Sequence, residues 1–271
     1  MTTFTLRGIS AARRASALYC AIHGSGAPLV LIHGLGTSGA IFRPLLPALA
    51  NRYQVIVPDL RGHGYSRCLP GPDSLDRLAA DVENVLDLLG ARSCFVVGYA
   101  DGGAVAQQLA HLYPHRVRGL ILACSYARSA RTLREQIARR LRPGLLRLIG
   151  APGVGALAAH ADCPRGAPAD DYAFVHAVIA ANSGERIAHL ARALLGFDSR
   201  PWLHILACPT LIVAGKADPI IPPAHAHELA AHLPQAQLHL IPQAGHWLVK
   251  THAAALLEIV LAWLGAQEVA P

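Results

Sequence analysis

Aromatic side chains are scarce in this 271-residue chain, at 6%, and charged residues make up only 15%. No basic stripe interleaved with aromatics occurs, and no nucleic-acid motif, so the formal net charge of +7 gives no reason to expect DNA or RNA as a partner. No uninterrupted apolar run is long enough to span a bilayer, and no membrane partner is expected. The opening residues, Met1 to Arg7, lack a charged start followed by an apolar core. A secretory signal is therefore not expected, and the cytoplasm is the default location. The six cysteines, Cys20, Cys68, Cys94, Cys124, Cys163 and Cys208, form no close pair of metal or redox spacing. Cys94, Cys124 and Cys208 lie in or beside apolar runs and read as small buried hydrophobes. No internal repeat is present, and no linker separates independent domains.

What the chain has is apolar mass: 53% of it is hydrophobic, enough for a large core and against disorder. Its length suits one α/β domain with an insertion. Thr3 to Ser10 and Ala17 to Ile22 read as two early strands joined by a turn at Arg13 and Arg14. Gly24-Ser25-Gly26 is a turn, and Pro28 to Ile32 a buried central strand. Phe42 to Ala50 reads as a short helix and Tyr53 to Val57 as a strand. Ser74 caps a helix over Leu75 to Leu89, whose apolar Leu78, Val82, Val85, Leu86 and Leu89 recur at three- and four-residue steps, and Gly90 ends it. Strands follow over Cys94 to Val97, Val117 to Cys124, Pro209 to Val213 and Gln237 to Ile241. Helices follow over Ala104 to Leu112, Pro222 to Leu233 and Thr251 to Leu264. This alternation predicts a mostly parallel sheet covered on both faces.

One stretch organises the rest: Gly98-Tyr99-Ala100-Asp101-Gly102, between an apolar strand and an apolar helix. Strand, sharp glycine-bounded turn and helix form the setting of a nucleophile elbow, which lifts one side chain above the sheet. The chain resembles the α/β-hydrolase fold family over nearly its whole length. His33-Gly34-Leu35-Gly36 looks like the family's oxyanion loop, and Asp59 to Gly64 like the loop after its next strand. Gly215-Lys216-Ala217-Asp218 looks like its acid turn, and Gly245-His246-Trp247 like its histidine turn. The resemblance implies a serine-type hydrolase of a small carboxylic ester or lactone. Asp218 and His246 would be the acid and base, and the N–H groups of Leu35 and Asp101 the oxyanion donors. Gly34, Tyr99 and Trp247 would border the substrate. No cofactor or metal is implied. The departure is Ala100, which stands where the family pattern puts serine.

Two readings of Ala100 stand open. In one, the native protein carries serine here and the alanine is a deliberate knock-out, so the chain binds substrate but is nearly inert. In the other, alanine is natural, and the chain is a binding module, or a lyase or cyclase using His246 as general base. Asp101 as nucleophile is one residue out of register. Ser66 is a weak spare nucleophile, and His63 reads as part of a shaped loop. His225 and His227, two apart on a helix, point differently and make a poor zinc pair.

Between about 129 and 200 the strand–helix alternation stops. Arg131 to Ile149 is helical in pattern but interrupted at Pro143-Gly144. Ala151 to Pro168 is rich in Gly, Ala and Pro, and helices over Asp170 to Ala181 and Gly184 to Leu195 follow. The resemblance makes 129–200 a helical cap on a core of 1–128 and 201–271. Arg128, Arg131, Arg134, Arg139, Arg140, Arg142 and Arg147 crowd its start. They read either as a solvated helix face or as a landing site for something acidic, with Arg139 and Arg142 the candidate ligands for a carboxylate-bearing or carrier-protein-bound substrate.

Overall fold

A computed structural model describes residues 18–69, 73–162 and 168–269. The strand expected over Thr3 to Ser10, its turn at Arg13 and Arg14, and Cys163 lie outside the described residues.

The described strands are β1 (Cys20–His23), β2 (Ala27–Ile32), β3 (Tyr53–Pro58), β4 (Cys94–Tyr99), β5 (Val117–Ala123), β6 (Thr210–Gly215) and β7 (Ala236–Ile241). They form one sheet in the order β1-β3-β2-β4-β5-β6-β7. β1 runs antiparallel to β3; every other pairing is parallel. The longer helices are α1 (Leu75–Leu88), α2 (Asp101–Leu112), α3 (Leu133–Asp162), α4 (Ala169–Ala180), α5 (Gly184–Ala193), α6 (Ala224–His232) and α7 (Ala253–Val269).

Because side chains alternate along a strand, each central strand feeds two cores. Leu29, Leu31, Val55, Val57, Phe95, Val97 and Ile121 face α7, through Leu256, Val260 and Trp263. Val30, Ile32, Ile56, Val96, Leu120 and Ile212 face α1, α2 and α6, through Leu78, Val82, Val105, Leu109 and Leu229. The sheet is thus buried on both faces, which is why its strands read as continuous apolar runs.

Local chemistry sets several boundaries. Ser74 accepts the Arg77 N–H at the start of α1. At the start of α3, Thr132 accepts the Glu135 N–H and the Glu135 carboxylate accepts the Thr132 N–H, a reciprocal cap. The insertion between β5 and β6 is helical, and its ends meet: Ser129 N–H donates to Phe197 O at 2.8 Å and Ser199 N–H to Ala127 O at 2.7 Å.

Four expectations need correction. The helix over Phe42 to Ala50 is instead a tight turn at Gly39–Phe42 and one helical turn at Leu46–Leu49, since Pro44 and Pro47 remove N–H donors. Pro143-Gly144 does not interrupt α3; the break falls at Gly150 (φ 67°, ψ 176°), and helix resumes through most of the stretch from Ala151. The last helix is two pieces, Leu248–Thr251 and α7, divided at His252. Finally, α2 begins at Asp101, directly after the turn, and not at Ala104.

Candidate active site

The turn between β4 and α2 holds Ala100 at φ 52° and ψ −122°, a region non-glycine residues avoid. Its N–H donates to Ala123 O at 2.9 Å, and its carbonyl accepts the Gly103 N–H at 3.0 Å and the Ser125 hydroxyl at 3.0 Å. The bend needs close backbone approach. A Cβ on Gly102 would sit 2.3 Å from the Ile32 carbonyl oxygen, so only glycine fits there.

Asp218 lies just past β6, where open parallel sheets place their ligands. Its Oδ1 accepts the N–H groups of Ile220 and Ile221, both at 2.8 Å. Its Oδ2 lies 2.8 Å from His246 Nδ1, with Asp218 4% and His246 6% exposed. The carboxylate accepts, so Nδ1–H donates and Nε2 is the lone-pair nitrogen, the tautomer a general base needs. The acid and histidine turns are stitched together by Ala217 N–H on Ala244 O at 2.9 Å. A Cβ on Gly215 would stand 2.2 Å from that same Ala244 oxygen, which explains the glycine. Tyr99 sends its hydroxyl to the His246 carbonyl, and its ring centroid lies 5.8 Å from the imidazole. Tyr99 therefore props the histidine turn from within the core. Trp247 is buried, its ring edge-on to His246 at 5.6 Å.

Among the described residues, donor atoms of Cys124, Asp218 and His246 lie within 4.8 Å of one another. The carboxylate is already taken by His246 and two N–H groups, which makes this a hydrogen-bonded pair beside a thiol and not an open cage for an ion.

The loop after β2 packs against the bend. A Cβ on Gly34 would lie 3.1 Å from Ala100 Cβ and 3.7 Å from Asp101 N. Leu35 follows, half-buried. Two buried imidazoles shape this region. His33 Nε2 accepts the Leu60 N–H and its Nδ1 donates to Gly34 O, both at 2.9 Å. His63 Nε2 accepts the Gly36 N–H at 2.9 Å and its Nδ1 donates to Arg61 O at 3.0 Å. Burial pushes His33 down to about 4, and burial together with neighbouring His33 pushes His63 down to about 3, so both are neutral wiring. Asp59 accepts from Gly39 N and Tyr65 N, and the Arg61 guanidinium forms a buried fork on Asp81 at 2.8 and 2.9 Å. Ser66 accepts the Tyr19 N–H. The loop from Asp59 to Ser66 is a scaffold in which neither His63 nor Ser66 is free for chemistry.

Asp101 is the residue the sequence left half-read. Its carboxylate is buried and takes the Tyr126 hydroxyl at 2.5 Å, Arg139 at 3.2 Å and Arg142 at 3.3 Å. Burial alone would raise this carboxyl, but the two guanidiniums and the hydroxyl outweigh it and hold it well below the usual carboxylate range. A carboxylate so saturated is a poor nucleophile. Arg142 also donates to the Leu35 carbonyl at 3.3 Å, so one guanidinium touches both residues expected to supply oxyanion donors. Arg139 lies over the Tyr126 ring at 4.3 Å. Of the arginines read as either a solvated face or a landing site for something acidic, Arg139 and Arg142 meet an acid inside the protein. Arg128 and Arg131 likewise engage Glu228. His225 is buried against Glu135, while His227 is exposed; they do not converge.

Sequence reasoning missed Tyr126 and Asn182. Asn182, on the insertion, accepts the Gly64 N–H at 2.9 Å and donates to Gly36 O at 3.2 Å, tying the insertion to both loops. No local pattern marks such residues: the partners of Asn182 lie 118 and 146 positions away, and Asp101 lies 25 from Tyr126.

Comparison with known proteins agrees with this fold. The family model described as the alpha/beta hydrolase fold matches residues 27–253. RutD of Azorhizobium caulinodans, named as a carbamate hydrolase, is 31% identical, with 92% of this chain and 95% of that protein covered. The polyketide synthase ThaQ of Burkholderia thailandensis is 35% identical over 252 residues, 89% of this chain, but the chain spans only 12% of that protein's length. An esterase from Thermogutta terrifontis, solved with malate bound, superposes with a TM-score of 0.85 at 28% identity, covering 92% of this chain and 93% of that one.

Proposed function

The chain belongs to the α/β-hydrolase fold family, and from that premise we propose a serine-type hydrolase of a small carboxylic ester or lactone, with residue 100 at the nucleophile position. The observation that carries this reading is the backbone of Ala100, φ 52° and ψ −122°. Holding a non-glycine residue there costs on the order of 1–3 kcal/mol. A methyl group gains nothing from that strain, whereas a hydroxyl would be lifted into the site. Asp218 and His246 remain joined at 2.8 Å, the pairing an attacking hydroxyl requires. In the reaction, His246 Nε2 takes the proton from the nucleophile as its oxygen adds to the carbonyl carbon. The N–H groups of Leu35 and Asp101 receive the oxyanion, and the imidazolium returns its proton to the leaving group.

With alanine at 100 this route lacks its attacking atom, so the chain binds substrate and turns it over little; what remains is on the order of 10³- to 10⁴-fold over water. Residues 129–200 act as a cap that screens substrates. A carboxylate-bearing or carrier-bound substrate would meet the open side of Arg142, whose side chain is 34% exposed, more readily than the deeper Arg139. The malate held by the esterase relative is in keeping with that choice. Cys20, Cys68, Cys94 and Cys208 are free thiols, which suits the cytoplasm.

The test is Ala100→Ser assayed on aryl esters and lactones. A gain of at least about 100-fold is expected. No gain across that range rejects hydrolysis and favours the other reading of a natural alanine, with His246 as general base or the fold as a binding module.

A further inference from the structure

The inward face of α3 carries the arginines that grip Asp101; its outward face carries something unlike the rest of the surface. Leu133, Ile137, Leu141 and Leu148 follow one another at helical spacing, 71%, 49%, 66% and 82% exposed. Leu145 widens the stripe. At about 1.5 Å per residue it runs for roughly 22 Å. Arg134 sits among these side chains, and Arg140 and Arg147 follow one edge, all exposed. None of the three has an ion-pair partner among the described residues, unlike Arg128, Arg131, Arg139 and Arg142. Glu135 is the sole acid from Leu133 to Ala161, and it is turned inward onto His225.

We propose that this outward face of α3 docks on an anionic lipid surface, with the leucines entering the interface and Arg134, Arg140 and Arg147 reaching the headgroups. Charge decides the occupant. A second copy would set unpaired arginines against unpaired arginines, with no acid to answer them. A folded protein partner is poorly matched too: the face is a convex ridge of aliphatic side chains without the aromatic anchors that such interfaces favour. A soft surface that is apolar within and negative at its rim satisfies both features, since long cationic side chains extend to headgroups while their stems stay in the apolar layer. The expectation of no membrane contact rested on the lack of a spanning run; a helix lying on a surface needs none. The proposal is independent of the hydrolase reading, because it is read by binding alone.

The experiment is sedimentation of the chain with phosphatidylcholine vesicles, with and without one-third phosphatidylglycerol, at low and high salt. Partition onto the anionic vesicles should exceed that onto neutral ones at least tenfold and fall with salt. Leu141→Asp with Leu148→Asp should abolish it. Arg140→Gln with Arg147→Gln should weaken it roughly fivefold per arginine. All four sites are exposed, and an unchanged thermal melt confirms that the variants fold. Absence of binding, equal binding to neutral vesicles, or undiminished binding by the leucine variant overturns the proposal. So does self-association that the leucine variant loses, or capture of an acidic amphipathic peptide in place of vesicles.

Discussion

The guanidinium of Arg142 stands 3.3 Å from the carboxylate of Asp101, a contact that ties the inserted helix to the residue immediately after the strained bend. Without such partners Asp101 would carry an uncompensated buried charge next to the proposed oxyanion donors. In an Ala100→Ser background, Arg139→Ala with Arg142→Ala should therefore lower kcat on neutral aryl esters by about 10- to 100-fold. Asp101→Asn added to that pair should recover part of the loss. Neutral-ester kinetics left untouched, with only the KM of an acidic substrate raised, would assign both arginines to substrate instead.

Arg61 and Asp81 form a fork with side chains 1% and 3% exposed. Asp81→Ala removes the carboxylate that forks onto a buried guanidinium and should cost about 3–5 kcal/mol in denaturant unfolding. Replacing both partners with apolar residues of similar volume should cost much less. Equal losses in the two variants would contradict the account.

Acid should unfold the chain earlier than its carboxylates alone would require. His33 and His63 are held neutral, down to about 4 and about 3, against 6.5 for a free histidine. The unfolded chain therefore binds more protons below pH 6.5, and stability falls as pH drops from 6.5 toward 4. The slope is on the order of 2–3 kcal/mol per pH unit for the two together. Asp101, held below the usual carboxylate range, adds its loss only below about pH 4. Melts at half-unit pH steps measure this, and a flat profile between 6.5 and 4.5 would refute it.

Tyr99 holds the His246 carbonyl through its hydroxyl. Tyr99→Phe should cost about 1 kcal/mol of stability. In the Ala100→Ser background it should also lower kcat several-fold with KM nearly unchanged, since the base is displaced and not the substrate. A change confined to KM would place the ring against the ligand.

The sheet was legible in the sequence because its information is local. Apolar runs such as Leu29 to Ile32 and Leu211 to Val213 are bounded by glycine and proline, and the bend at Ala100 announces itself by Gly98 and Gly102. The turns that bring Asp218 and His246 within hydrogen-bond distance are likewise marked by Gly215 and Gly245. Less legible was anything whose reason lies far along the chain. Pro143 looks like a helix breaker, yet it sits within α3, and the break falls at Gly150, which has the positive φ. The fate of Arg139 and Arg142 was hidden too, since their shared partner lies 38 and 41 residues earlier. Composition gives charge, and only the fold says which charges are already spoken for.

The hydrogen bonds from Ser129 to Phe197 and from Ser199 to Ala127 bring the two ends of the inserted segment side by side. The strands on either side therefore feel the same boundary whatever lies between those ends. Lengthening, shortening or exchanging the intervening helices should therefore leave the pairing of β5 with β6 unaltered. Such a junction works like a socket: the helices between its ends are exchangeable so long as the contacts that Arg139, Arg142 and Asn182 make with the residues beneath are kept.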